Sequence, residues 1–253
     1  QYAAAARAIR ARMEAPQPLP RGLRRTLAQV LDALAAADAR AAGLIERLEE
    51  HAAVAAGFVE DMDFAFLFDR KRKLLRIGYD ARAGRLEEGY YDLLASEART
   101  AVFLGIAKGD LPREAWFHLG RKLTVWRGCR TLLSWSGTLF EYLMPCLFME
   151  TYGGTLLGAS LREVVRIQQL YGREKRVPWG ISESASAARD SSLCYQYKAH
   201  GIPRLGVQRR RADELVIAPY ATLLALMVDR AAAVANLRAM AARGWLSRYG
   251  YYE

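Results

Sequence analysis

The chain has only three histidines and three cysteines in 253 residues, and neither set is spaced like a metal-ligand group. Cys129, Cys146 and Cys194 are odd in number and widely separated, which argues against a disulfide framework and fits a reducing compartment. His51, His118 and His200 fall in apparently different elements, so no chemistry is assigned to them. Charge-free stretches of 18 or more residues are also absent. The most apolar run, from Thr131 to Met149, contains Glu141 and Pro145 and is expected to be a buried helix, not a membrane span. The opening "QYAAAARAIRARMEAPQPLPRG" has no secretory signal pattern and reads as a boundary inside a longer polypeptide. No P-loop, GxSxG or HExxH occurs, "GTLLGAS" at 154–160 is too loose for a phosphate loop, and the serines of "SESASAARDSS" have no histidine at suggestive spacing.

Lysine is scarce as well, so the net charge of +10 comes mostly from arginine. "RKRK" at 70–73 and "RRR" at 209–211 are candidate phosphate contacts. Acids are interspersed with the bases throughout, which favours a solvated arginine-rich surface over a nucleic-acid partner. A basic face near an acidic membrane surface or partner domain is the weaker alternative.

Apolar residues are plentiful, 52% of the total, enough for a sizeable core. Residues 2–14 read as a helix, stopped by "PQPLP" at 16–20, which places a boundary there: an N-terminal helix and linker over 1–20, and a main domain over 21–253. From Gly22 to about Ala56, Leu and Ala recur at helical spacing and suggest an antiparallel helical pair. Residues 61–92 show the clearest strand signal, aromatic and aliphatic runs flanking a charged turn. "YYDLLASEARTAVFLGIAKG" reads as a helix closed by Gly109. A strand pair is expected within 121–137, helices near 138–150 and 156–172, an irregular loop at 177–190, and two final helices at about 219–228 and 230–243. Roughly seven long helices with small β-inserts suggest a mainly α fold of helical hairpins, such as a toroid.

Several acids sit in company unusual for a plain surface. Asp92 and Glu97 lie beside Tyr90 and Tyr91, Glu141 beside Trp135 and Tyr142, and Glu183 beside Trp179. Such mixtures suit carbohydrate, whose C–H faces stack on aromatic rings while its hydroxyls need donors and acceptors. On a helix, Glu97 would fall in the apolar sector of Leu93, Leu94 and Ala98, as either the partner of a buried arginine such as Arg99 or a catalytic group in a cleft. For Glu183 a catalytic loop and an ordinary turn are both open.

The series "MDFAFLFD", "LLRIGYD", "GRLEEGYYDLLASEAR", "GIAKGD", "LLSWSGTLFEYLMP", "VPWGISES", "YQYKAHGIP" and "VIAPYAT" closely resembles the glucoamylase-like domain of bacterial cyclic β-1,2-glucan synthases. The resemblance runs from about residue 61 to 253. It implies an (α/α)6 toroid, incomplete in this chain, with small β-hairpin insertions. The flanking partners it implies are a glycosyltransferase domain and a phosphorylase-like domain of one polypeptide on the cytoplasmic side of the inner membrane. No cofactor or metal and no membrane span within this segment are expected. The implied activity is cyclisation of linear β-1,2-glucan by transfer of a cut chain to its own end; an endo-acting β-1,2-glucan hydrolase and a non-catalytic glucan-binding module are the alternatives.

The same resemblance assigns Glu183 as general acid/base and Glu97 as nucleophile. A retaining pair is expected about 5–5.5 Å apart, against roughly 6.5–9.5 Å for an inverting one. Trp179 and a poorly solvated loop are expected to keep Glu183 protonated, and Arg99 or another cation to keep Glu97 ionised. Tyr91, Asp92, Trp135, Ser136, Glu141, Trp179, Tyr195 and Tyr197 are the candidate sugar-subsite residues.

Overall fold

A computed structural model describes residues 2–208 and 214–252; the candidate arginine run at 209–211 lies outside the described residues. About half of the chain is helical and the sheets are small, so the mainly α class holds. The chain divides into two compact units, Gln1–Asp63 and Phe64–Glu253.

The first unit is a helical pair, though not the expected one. Helix α1, Tyr2–Glu14, and helix α2, Arg21–Asp61, pack on each other, joined by the proline-rich connection at 15–20. The break expected at 16–20 is therefore this connection, and the compact division falls later, after Asp63. Helix α2 is continuous over 41 residues where two helices were expected. No proline interrupts it, and its interior glycines, Gly43 and Gly57, cost only about 1 kcal/mol each, too little to break a helix otherwise rich in Ala and Leu. Leu27, Leu31 and Leu34 are half-buried, whereas Leu44, Leu48 and Phe58 are exposed.

The second unit opens with short strands. β1 (Phe68–Asp69) and β2 (Leu74–Arg76) pair antiparallel, and β2 also pairs with β5 (Tyr90–Tyr91). Between them β3 (Tyr79–Asp80) and β4 (Arg85–Leu86) form a separate hairpin. Asp69 folds the first turn by accepting the Lys71 and Arg72 amides at 2.9 Å each, and it also receives the Tyr90 hydroxyl at 2.7 Å.

Helix α3, Arg99–Lys108, ends at Gly109 in the left-handed region, as the sequence predicts, but it starts later than expected. The chain just before it is tied to Gly120, with Leu94 N donating to Gly120 O and Gly120 N to Asp92 O. The Ser96 hydroxyl then accepts the Ala98 amide, a local turn that competes with helix. Glu97 thus sits in a turn, and the helical-face argument for it does not hold.

Helix α4, Glu114–His118, leads to the expected hairpin of β6 (Leu123–Trp126) and β7 (Cys129–Leu132). The Thr131–Met149 run is therefore not one buried helix. It passes from β7 through a turn at Gly137 (φ 80°) into the five-residue α5, Leu139–Leu143, and a 3-10 turn containing Pro145.

Helix α6, Leu156–Lys175, is capped by the Thr155 hydroxyl and packs on β7. It buries Leu161, Val164, Val165 and Ile167 on one face, each contributing roughly 1.5–3 kcal/mol. The expected loop at 177–190 turns into β8, Glu183–Arg189, paired antiparallel with β9, Tyr195–Ala199. Small residues dominate β8, so the tyrosines of β9 supply the strand preference that β8 lacks. Helices α7 (Pro219–Leu224) and α8 (Arg230–Ala242) and a hairpin of β10 (Leu246–Ser247) with β11 (Gly250–Tyr251) complete the unit. Its core joins Leu132, Leu139, Leu143, Leu161, Ile167, Ala221 and Met240. Of the seven long helices expected, only α2 and α6 exceed 13 residues among those described. None is long and apolar enough to cross a membrane.

Candidate active site

Glu183 begins β8 directly after the segment 177–182, and four helices hold that segment, α5 through the Leu139 and Phe140 amides, which donate to the Ile181 carbonyl and the Ser182 hydroxyl. From α6, Gln168 accepts the Gly180 and Ile181 amides at 3.2 and 2.9 Å and donates to the Ile181 carbonyl at 2.8 Å. From α8, Asn236 accepts the Trp179 amide and donates to the Trp179 carbonyl at 2.7 Å. From α7, Thr222 donates to that same carbonyl. Gly180 has φ 130°, and a Cβ there would lie 2.9 Å from the Thr222 hydroxyl, so no other residue fits without strain. Tyr220 completes the attachment by donating to the Ser182 hydroxyl and to the Glu183 carbonyl, both at 2.9 Å.

The Glu183 carboxylate receives a donor on each oxygen. The Thr138 hydroxyl donates to Oε1 at 3.3 Å, and the Tyr197 hydroxyl donates to Oε2. Thr138 is fully buried and is the N-cap of α5, where it forms a capping box with Glu141. The Glu141 carboxylate accepts the Ser134 hydroxyl at 2.7 Å and the Ser136 and Thr138 amides at 2.8 and 3.0 Å. Burial raises its pKa, those three donors oppose the rise, and the charge of Glu97 adds to it.

Glu97 lines a cleft of about 330 Å³ with Phe64, Tyr91, Thr100 and Leu104, and its carboxylate accepts the Ser96 hydroxyl at 3.3 Å. Beneath it Arg99 is 1% exposed and donates to the carbonyls of Ser96, Glu141 and Tyr142 at 3.2, 3.2 and 2.7 Å. Burial lowers the Arg99 pKa to about 10, against the opposing influence of Cys146 and Glu97, so it remains a cation at neutral pH. Arg99 thereby pins the Glu97 turn to α5, the helix whose cap touches Glu183. The charge of Glu97 also reaches Tyr197, the residue bonded to Glu183. Both carboxylates thus connect to α5, Glu183 through its N-cap Thr138 and the Glu97 turn through the Glu141 and Tyr142 carbonyls.

The expected subsite residues divide. Tyr91 lines the Glu97 cleft. Asp92, its neighbour, has a buried Oδ1 that no described group hydrogen-bonds. Tyr195 and Tyr197 are exposed on β9, and Arg189 stacks on the Tyr195 ring and donates to its hydroxyl at 2.7 Å. Trp135 and Ser136 are half-buried at the turn before α5, where Ser136 serves the Glu141 cap. Glu141 is 3% exposed and occupied with capping, and Trp179 is packed in the core at 7% exposure, so neither is open to a ligand. The Glu183 carboxylate meets Thr138 and Tyr197, while the Trp179 backbone is held by Asn236 of α8 and Thr222 of α7.

Sequence reasoning missed Thr138, Gln168, Tyr220 and Asn236. Thr138 had a readable signal, the T-x-x-E of "TLFE" that marks a capping box. Tyr220 lies within "VIAPYAT", but neither Gln168 nor Asn236 stands out from ordinary helical residues.

A family model described as putative glucoamylase matches residues 89–253. Over 215 residues, 83% of the chain, the sequence is 46% identical to the cyclic β-(1,2)-glucan synthase NdvB of Rhizobium meliloti (strain 1021). The chain spans 8% of the length of that relative. The match extends over most of the second compact unit, including both Glu97 and Glu183, and the chain belongs to the glucoamylase-like family.

Proposed function

We propose that this chain is the part of a cyclic β-1,2-glucan synthase that cleaves and re-forms β-1,2-glucosidic bonds, closing linear glucan into rings. Glu183 is the general acid/base and Glu97 the nucleophile of a retaining transfer. The single observation supporting this reading is the link between the two acids through α5: Arg99 ties the Glu97 turn to the Glu141 and Tyr142 carbonyls, and Thr138 at the same helix start touches Glu183. Tyr91 and Tyr195 offer ring faces for stacking.

In the first half-reaction Glu183 protonates the leaving oxygen while Glu97 attacks the anomeric carbon. In the second, Glu183 takes a proton from the hydroxyl at the glucan's other end, which displaces Glu97. Water in place of that hydroxyl gives hydrolysis. The helices of the second unit then form part of an (α/α)6 toroid, with glycosyltransferase and phosphorylase-like domains beside it in a longer polypeptide at the cytoplasmic face of the inner membrane. The relative's much greater length is consistent with such neighbours.

The test is incubation with linear β-1,2-glucan. Rings support transfer, shorter linear chains support an endo-hydrolase, and binding without product supports a glucan-binding module. Glu97→Gln and Glu183→Gln should each lower turnover on the order of 10²–10⁴-fold with the fold intact; unchanged turnover in either variant removes that residue from the mechanism.

A further inference from the structure

Tyr197 was expected to be a sugar-stacking ring, and its ring is indeed exposed, at 67%. Its hydroxyl is engaged elsewhere. It donates to Glu183 Oε2, while Thr138, fully buried, holds Oε1 from the protein side. The two donors differ in setting. Thr138 is locked in a capping box, whereas Tyr197 comes from β9, across the ladder from Ala185. With Oε1 held from inside, Oε2 is the oxygen left to meet a substrate, and Tyr197 is the residue already bonded to it.

We infer that Tyr197 is a positioning residue for Glu183: its hydroxyl fixes the outward carboxylate oxygen, the one left to meet the substrate. The inference deepens the acid/base reading of Glu183 and rests on it. A hydroxyl donor aimed at that oxygen also stabilises the charge Glu183 acquires as it releases its proton to the leaving oxygen.

Tyr220 on α7 contacts the Glu183 carbonyl, Glu97 lies across the neighbourhood, and Glu141 is reached through Thr138. Lys198, next along β9, points to the other face and pairs with Glu214 at 3.0 Å. Burial of its hydroxyl end first, then Glu183, Tyr220 and Glu97, push the Tyr197 pKa upward, so the O–H stays intact as a donor over the working pH range.

Tyr197→Phe keeps the ring and deletes only the donor. On linear β-1,2-glucan kcat should then fall about tenfold, with KM little changed. In parallel, 13C NMR of the chain with carboxyl-labelled glutamate follows Glu183 directly, its resonance assigned by its loss in Glu183→Gln. That resonance should shift in Tyr197→Phe, which removes its hydrogen-bond donor. If neither kcat nor the resonance changes in Tyr197→Phe, and only Tyr197→Ala has an effect, through a raised KM, the residue is a stacking platform and the inference is overturned. If the resonance shifts while Glu183→Gln still processes glucan at the wild-type rate, the contact stands and the acid/base assignment falls.

Discussion

The Thr138 hydroxyl both accepts the Glu141 amide at 3.3 Å and donates to Glu183 Oε1 at 3.3 Å, so one side chain caps a helix and touches the proposed acid/base. Thr138→Ser keeps both roles and should be close to neutral. Thr138→Val keeps the volume and loses both. It should cost about 1 kcal/mol from the lost cap, measurable by denaturant unfolding, and lower turnover beyond what that loss of stability explains.

Arg99 supports the other carboxylate. Its guanidinium serves three carbonyls that no methyl or ammonium group can satisfy together. Arg99→Met should destabilise by about 3 kcal/mol, roughly 1 kcal/mol for each stranded carbonyl. Arg99→Lys restores the charge without the fork and should recover only part of that loss. Equal stability of the Lys variant and the wild type in urea unfolding would contradict this account.

Glu141 is a buried acceptor facing a hydroxyl and two amides. Glu141→Gln turns one acceptor into an NH2 group opposed to a backbone N–H, so it should destabilise by about 1–3 kcal/mol despite removing a buried charge. Its pKa is raised above the usual 4.5, so the folded state binds this proton more tightly than the unfolded chain. That contribution is complete below 4.5 and disappears as pH rises through the raised value. The gap between wild type and Glu141→Gln should therefore change across that window, as melting curves at several pH values would record.

Asp69 behaves in the opposite sense. The Arg72 amide, then the Tyr90 hydroxyl and further the Lys71 amide and Arg76, hold its pKa below the usual 3.8. The stability it contributes is present above 3.8 and is lost as pH falls through the depressed value. Asp69→Ala should have a lower Tm than wild type at neutral pH, and the two curves should converge in strong acid.

Much of the second unit was legible because its signals are local. Gly109 ends α3 for a reason visible in one residue, Thr155 and the apolar stripe of α6 define that helix, and the β6–β7 hairpin follows from its strand runs. The misses arose where longer-range pairing overrode local preference. β8 is a strand only because β9 lies against it, and the 93–98 segment is not helical because Gly120 takes its backbone bonds. Helix α2 differs from the expected pair because helical spacing of Leu and Ala marks helix without marking where one ends, and no proline ends this one. Around the carboxylates, Glu97 and Glu183 stood out beside aromatic residues, and the family resemblance was what singled them out as a pair. Their supports Gln168 and Asn236 were not, because an amide side chain on a helix gives no sign in sequence that it will meet the backbone of a particular distant segment.

Those two amides carry a consequence for how the molecule deforms. Glu97 is moored through Arg99 to the Glu141 and Tyr142 carbonyls of α5, and Glu183 follows residues 179–182, which α6, α7 and α8 hold and which α5 also bonds through its Leu139 and Phe140 amides. A slide of α8 that dragged Asn236 would therefore be resisted at α5, the helix to which both acids are tied. The spacing of the two carboxylates is thereby braced by one five-residue helix, so a perturbation more than 50 residues along the chain reaches it only through that brace.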